Sequence, residues 1–413
     1  MNKILAKKIL YAFVAFCLLL SNIEAKSNSL TLFIIGDTLL HKSVYEDAKT
    51  QYGGYDFMPM FSLIAPISKK YDLAFYNQES ILGGVKLGLS SYPRFNSPKD
   101  FGETMLKLGF NLISLANNHT LDKGEEGVHS MLRFWRNKES KNSEIYSTGS
   151  FESADAKDKI QQKILQKNGI SYAMLAYTYG TNGIPLPQGK EYLVNVYTKE
   201  MLKNDIKAIR HKVDLLIVSI HWGVEYTHKP TKEQREIAHF LANLGVDIVI
   251  GNHPHAIQPI ERIGNTLIFY ALGNFLSGQV GLQKRVGLMA SVQIDKIQNA
   301  RENMQESTNN FSIFSSPKSR IMQKHIREYS QHSIRESRFY KRFPKKVKIK
   351  NVRADLVYTF YEQNPSNSPN LPKMSGFKIY PFLLLNDDIL PNYQQIYEQY
   401  LQIIKQDWIA IGL

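Results

Sequence analysis

Two histidines flank one proline in VIGNHPHAIQPI (Val249 to Ile260), just past an apolar run that stops at Gly251. Four other apolar runs end in similar residues. FIIGDTLLH ends in Gly36-Asp37, with His41 four residues later. LAFYNQES ends in Asn77 and Glu79, and LISLANNHTLD ends in Asn117, Asn118, His119 and then Asp122. IVSIHWGVEY ends in His221. Singly, each has a plain reading as a turn, a helix cap or a core histidine. Five together point to one site, because in α/β sheets ligands bind at the carboxyl ends of the strands.

The donor set suggests the chemistry. Asp37, His41, Glu79, Asn118, His221, His253 and His255 offer carboxylate, amide oxygen and imidazole without thiolate. Such donors suit borderline or harder divalent ions such as Mn, Zn or Fe. Seven donors exceed what a four-coordinate zinc takes, and they fit two ions about 3.5–4 Å apart, bridged by a carboxylate. A histidine outside the ligand set can protonate a leaving group. His119, with Asp122 three residues on to orient it, suits that task. Pro254 biases His253 away from helix. In extended chain, residues two apart face the same side, so His253 and His255 are expected to point together. Arg94, in YPRFNSP, is a further candidate. It can pair with a phosphate or carboxylate beside a helix N-terminus capped by Ser97. His129, His211, His228 and His239 fall in helix or loop contexts and receive no role.

These residues need strands to carry them. Apolar, β-branched runs recur at 30–35, 72–76, 111–116, 172–177, 213–220, 246–250 and 266–272, with helical segments between them. SPKDFGETMLKLG reads as a helix with Ser97 as N-cap, Pro98 first and Gly109 as the stop. TKEQREIAHFLANLG opens on a capping box, Thr231 with Gln234, and ends at Gly245. Alternation of strand and helix means an α/β domain. It is expected over 26–295, followed by a polar, basic insertion or linker at 296–353. Residues 354–413 then complete the domain. In that last part RADLVYTFY reads as a strand and YPFLLL as another. Tyr393, Ile396, Tyr397, Tyr400, Leu401, Ile404 and Trp408 follow helical spacing, as in a docked helix.

The ends of the chain bound the setting. Lys3, Lys7 and Lys8 precede the twelve-residue apolar run Ile9 to Leu20, and Ala25 follows. This is the pattern of a signal peptide over 1–25, with a signal anchor as the alternative. The expected address is the periplasm or cell surface. The single cysteine, Cys17, lies inside that run, so the exported part has neither disulfides nor thiolate ligands. The net charge is +14. Much of the excess lies between Lys318 and Arg353, where thirteen Lys and Arg face only Glu328 and Glu336. Such a block is a solvated segment or a contact for a polyanion or an anionic membrane surface. No nucleic-acid fingerprint accompanies it, and Walker, dinucleotide and Gly-x-Ser-x-Gly motifs are missing from the sequence.

In this order, GDTLLH, NQES, SLANNHTLDKG, IHWGVEY, GNHPHAIQP and YALGNF resemble the capsule-synthesis CapA (poly-γ-glutamate biosynthesis) family, a branch of the calcineurin-like metallophosphoesterases. The likeness covers about Leu30 to Gln293. It implies a four-layer α/β/β/α sandwich with a dinuclear site. Asp37 takes the place of the first aspartate ligand and Glu79 that of the bridging carboxylate. Asn118 and His221 match single ligands, His119 the general acid, and His253 with His255 the closing pair. Asp122 resembles the acid that orients the catalytic histidine. Two departures stand out. The wider superfamily begins Asp-x-His, whereas His41 comes four after Asp37, and Gln78 stands where the family usually has leucine. The implied partners are an anionic polymer or phosphorylated precursor and membrane-bound capsule synthesis or export proteins. The implied activity is metal-dependent hydrolysis of phosphoester or amide bonds. The alternatives are a non-enzymatic polyanion-handling component of an export complex and a periplasmic phosphatase or nucleotidase. An amidohydrolase barrel is disfavoured, since its His-x-His pair follows the first strand and here the pair closes the set.

Overall fold

The computed structural model describes residues 28–297, 345–363 and 373–413. The signal pattern over 1–25 and most of the basic stretch lie outside these residues. Fifteen strands are described. They are β1 (Ser29–Leu39), β2 (Leu73–Gln78), β3 (Leu112–Ser114), β4 (Tyr146–Thr148), β5 (Leu165–Lys167), β6 (Ile170–Thr178), β7 (Leu215–His221) and β8 (Ile248–Asn252). The rest are β9 (Ile260–Ile263), β10 (Thr266–Phe269), β11 (Asn274–Ser277), β12 (Val286–Lys296), β13 (Val347–Gln363), β14 (Met374–Pro381) and β15 (Ala410–Ile411). One sheet runs β14-β13-β12-β1-β2-β3-β4, with β11 also on β1 and β15 on β13. The other runs β5-β6-β7-β8-β10-β9.

Period-two alternation decides which way each strand faces. On β1, Leu30, Leu32 and Ile34 enter the core between the sheets, while Phe33 and Ile35 face outward. On β7, Leu215 and Ile217 point inward, and Leu216, Val218 and Ile220 outward. Helices cover both outer faces. Phe101 and Met105 of α1 (Asp100–Lys107) and Met131, Leu132 and Trp135 of α2 (Gly124–Lys141) pack on the first sheet. Leu202, Ile206 and Ile209 of α3 (Lys199–Arg210) and Ile237 and Leu241 of α4 (Lys232–Asn243) pack on the second. The result is the expected four-layer α/β/β/α sandwich. The expected C-terminal helix is α5 (Tyr393–Ile404), whose Tyr400 and Ile404 close the inter-sheet core. Among the described residues no helix is long and apolar enough to cross a membrane.

Parallel pairing aligns the strand ends. Asp37 pairs with Asn77 and Asn77 with Ser114 in one sheet, and Thr178 with His221 and His221 with Asn252 in the other. The α4 capping box forms as expected, each side chain bonding the other residue's backbone. The Ser97 cap does not. α1 starts at Asp100, and the Ser97 hydroxyl donates instead to Ser80 Oγ at 3.0 Å. β13 begins at Val347, so the last residues of the basic stretch are sheet rather than linker. Val347, Ile349, Val352 and Ala354 enter the inter-sheet core, and the lysines between them disguise the strand as a charge run. YPFLLL lies at a strand end: β14 stops at Pro381, and Phe382–Leu384 is a turn of 3₁₀ helix with Leu383 and Leu384 exposed.

Candidate metal centre

Asp37 sits on β1 where the strand squeezes past Gly273. Its N–H donates to the Gly273 carbonyl at 2.9 Å. A Cβ on the preceding Gly36 would lie 2.0 Å from that oxygen, so glycine is required by space. Asp37 Oδ1 accepts from Asn77 Nδ2 at 2.8 Å, and Oδ2 accepts from the His253 N–H at 3.3 Å. His255 Nδ1 stands 3.2 Å from the same Oδ2.

Glu79, past the end of β2, is fully buried. Its Oε1 is 3.4 Å from His221 Nε2 and 3.5 Å from His255 Nε2, yet neither carboxylate oxygen has a hydrogen-bond partner. Burial first, then Asp37, Glu225 and Asp122, push its pKa well above the ordinary carboxylate range. His253 Nδ1 and His255 Nδ1 are likewise buried without hydrogen bonds. Buried polar atoms left bare are costly. Here they converge: Glu79, His221 and His253 form one group, and Asp37, Glu79 and His255 another, with donor atoms within 4.8 Å of one another in each. The donors therefore fit divalent ions, and Glu79 belongs to both groups. Burial, then the neighbouring histidines, keep His221 and His253 neutral, with His253 held down to about 2. Neutral imidazole is the form that binds metal.

Asn118 joins them. Its Oδ1 is 2.9 Å from His221 Nε2, and its Nδ2 donates to Asn182 Oδ1 at 3.1 Å. His119 stands beside the donors without belonging to either group. Its Nδ1 lies 2.7 Å from Asp122 Oδ2, and both side chains are buried. The same Oδ2 accepts from the Phe95 N–H at 2.6 Å, tying the Arg94 loop to the pair.

Other expectations meet a different geometry. His253 and His255 are not extended: β8 stops at Asn252, and the two have φ of 100° and 54°. Left-handed backbone at two non-glycine residues stores on the order of 1–3 kcal/mol each. The folded strands hold that strain where the donors meet. His41 joins neither group. Its Nδ1 sits 3.1 Å from the Leu39 carbonyl and 3.3 Å from the Gly278 N–H, on the far side of Phe95. Arg94 is exposed and six residues before α1, so no capped helix end assists it. Sequence reasoning gives no role to Asn77 or Asn182. Asn77 stands next to the last residue of β2 in plain view, but Asn182 lies in the loop TYGTNG, whose hydroxyl and amide side chains resemble any turn.

The bacterial capsule synthesis protein model PGA_cap matches residues 31–279. The PGA biosynthesis protein CapA of Bacillus subtilis is 28% identical over 65% of this chain and 68% of its own length. The capsule biosynthesis protein CapA of Bacillus anthracis is 27% identical over 62% of this chain and 61% of its own length. The chain thus spans about two thirds of these relatives. A hypothetical protein from Thermus thermophilus superposes with a TM-score of 0.40 at 15% identity, over 64% of this chain and 93% of that one. That likeness is loose, and the sandwich rests on the two sheets themselves.

Proposed function

The chain belongs to the bacterial capsule synthesis protein family PGA_cap, and on that premise we propose that it is an exported, metal-dependent hydrolase. Its substrate is an anionic envelope polymer of the poly-γ-glutamate type or a phosphorylated precursor, cut at an amide or phosphoester bond. The carrying observation is the bare, buried Glu79 carboxylate between His221 and His255, with the His119–Asp122 pair alongside.

Asp37, Glu79, Asn118, His221, His253 and His255 would hold two divalent ions. Such ions, when bound, supply Lewis acidity toward the scissile group and lower the pKa of water. The chain's own residues do the rest. Asp122 engages His119 Nδ1 and so leaves Nε2 to deliver a proton to the departing atom. Asn182 holds the Asn118 amide with its oxygen turned toward His221. Phe95 shields one face of His119, with ring centroids 4.7 Å apart.

The signal pattern over 1–25 supports export. The net charge of +14 supports a second reading, a non-enzymatic component that handles polyanions. One experiment separates them. Metal content is measured on wild type and His119→Ala, and both are screened on phosphoesters, nucleotides and a γ-linked glutamate polymer. Hydrolysis by wild type and its loss in His119→Ala at equal metal content is expected. Metal-loaded wild type that cleaves none of these overturns the hydrolase. Turnover of nucleotides alone would make it a phosphatase unrelated to capsule.

A further inference from the structure

A cleft of about 950 Å³ opens at His41, across Phe95 from His119, lined by His41, Lys42, Glu46, Lys49, Tyr55 and Lys373 among others. This lies within the ~300–1,000 Å³ range of ligand clefts. We propose that it is a docking groove for a carboxylate-bearing polymer, one arm of which reaches the reacting bond beside His119. The inference rests on the reading of the substrate as an anionic polymer.

Position is the first argument. His41 packs edge-on against Phe95 at 5.0 Å between ring centroids, and Phe95 packs edge-on against His119 at 4.7 Å. The cleft thus begins two rings from the proton donor. Its walls are also fixed to each other. The Asp47 carboxylate, at the end of the Lys42–Asp47 helix, accepts the N–H groups of Gly376 and Phe377 at 2.9 and 2.8 Å. That contact ties the segment carrying Lys42 and Lys49 to β14, which begins just after Lys373.

Charge is the second argument. Three ammonium groups face one carboxylate. Lys42 and Glu46 meet at 3.4 Å but are 67% and 40% exposed, so the pair is weak and exchangeable. Lys49 and Lys373 have no ion pair among the described residues. Lysine is a flexible point charge, whereas arginine offers a rigid two-pronged fork. Mobile single charges suit carboxylates repeated along a flexible chain better than one planar anion held in register.

The test reads binding, so it does not need turnover. Fluorescence anisotropy follows a labelled γ-linked glutamate oligomer on the metal-loaded full chain. Lys42→Ala, Lys49→Ala and Lys373→Ala are compared singly and combined, with Lys203→Ala on the exposed face of α3 as control. The combined variant is expected to bind about tenfold more weakly, as three exposed ion pairs allow, with a flatter salt dependence. Lys203→Ala should match wild type. Affinity of the combined variant within about twofold of wild type overturns the groove, and so does polyphosphate that competes as well as the glutamate oligomer at equal charge. A protein that binds through these lysines but cleaves nothing keeps the groove and loses the hydrolase. One that cleaves the oligomer with unaltered affinity in the combined variant keeps the hydrolase and loses the groove.

Discussion

His119 Nδ1 lies 2.7 Å from Asp122 Oδ2, with both side chains buried and Asp122 also holding the Phe95 N–H. This contact fixes the imidazole orientation and the loop beside it at once. His119→Ala is expected to lower kcat by ~10²–10⁴, the usual worth of a positioned acid, with metal content retained. Asp122→Asn should lower kcat less and raise KM as well, because the Phe95 loop loosens. Proton NMR offers a second readout: the downfield Nδ1 proton of His119 in wild type should disappear in Asp122→Asn. Asp122→Asn with wild-type kinetics would remove Asp122 from the mechanism.

Glu79 belongs to both donor groups, so it should matter more than any single histidine. Metal at a hundredfold excess over Kd stabilises a fold by about 2.7 kcal/mol. Thermal melting of wild type should therefore rise with added Mn or Zn and fall with chelator. Glu79→Gln should abolish that response while leaving the metal-free protein as stable as wild type or more so, since a buried carboxylate without hydrogen bonds costs stability. Metal bound at wild-type stoichiometry in Glu79→Gln would sink the shared-carboxylate reading.

The chelated protein should also show a distinctive pH profile. Burial holds His41 down to about 4 and His253 down to about 2, below an unfolded value of about 6.5. As pH falls from about 6.5 toward 4, the unfolded chain binds protons that the native state refuses, and stability drops. Glu79 works the other way. Its raised pKa means the native state keeps a proton that the unfolded chain loses, so stability drops as pH rises above about 4.5. Urea melts across pH should show the acid-side slope shrinking in His253→Asn, a residue that tolerates left-handed backbone. They should also show the alkaline-side decline vanishing in Glu79→Gln. Slopes unchanged in both variants would count against this assignment.

Much of the centre was legible because each donor closes an apolar run, and parallel pairing brings such ends together. Asp37, Glu79, Asn118 and His221 converge that way. The misreadings have physical causes. His41 lies two residues past β1, at the start of the next helix, where spacing alone cannot tell whether a ring faces the donors or Phe95. His253 and His255 converge through left-handed backbone, which the sequence does not announce at non-glycine residues. Asn182 reaches Asn118 and His119 from 63 residues or more away in sequence, and no periodicity records such a contact. The first residues of β13 hide because Lys348 and Lys350 alternate with its core side chains, whereas its later part, RADLVYTFY, reads as a strand.

Gly36 tests whether strand packing sets the metal geometry. A methyl group there would meet the Gly273 carbonyl at 2.0 Å, the same oxygen that accepts the Asp37 N–H. Neither backbone can yield without moving Asp37 relative to His255. Gly36→Ala is expected to cost about 1–3 kcal/mol in chemical denaturation, the usual penalty of overpacking. It should also weaken metal binding, as the Asp37 carboxylate leaves its place 3.2 Å from His255 Nδ1. Gly180→Ala is the control. No atom lies within 4 Å of a Cβ there and its φ is ordinary, so stability should stay within about 0.5 kcal/mol. If Gly36→Ala melts with wild type and binds metal as tightly, the close passage of β1 past Gly273 does not position Asp37.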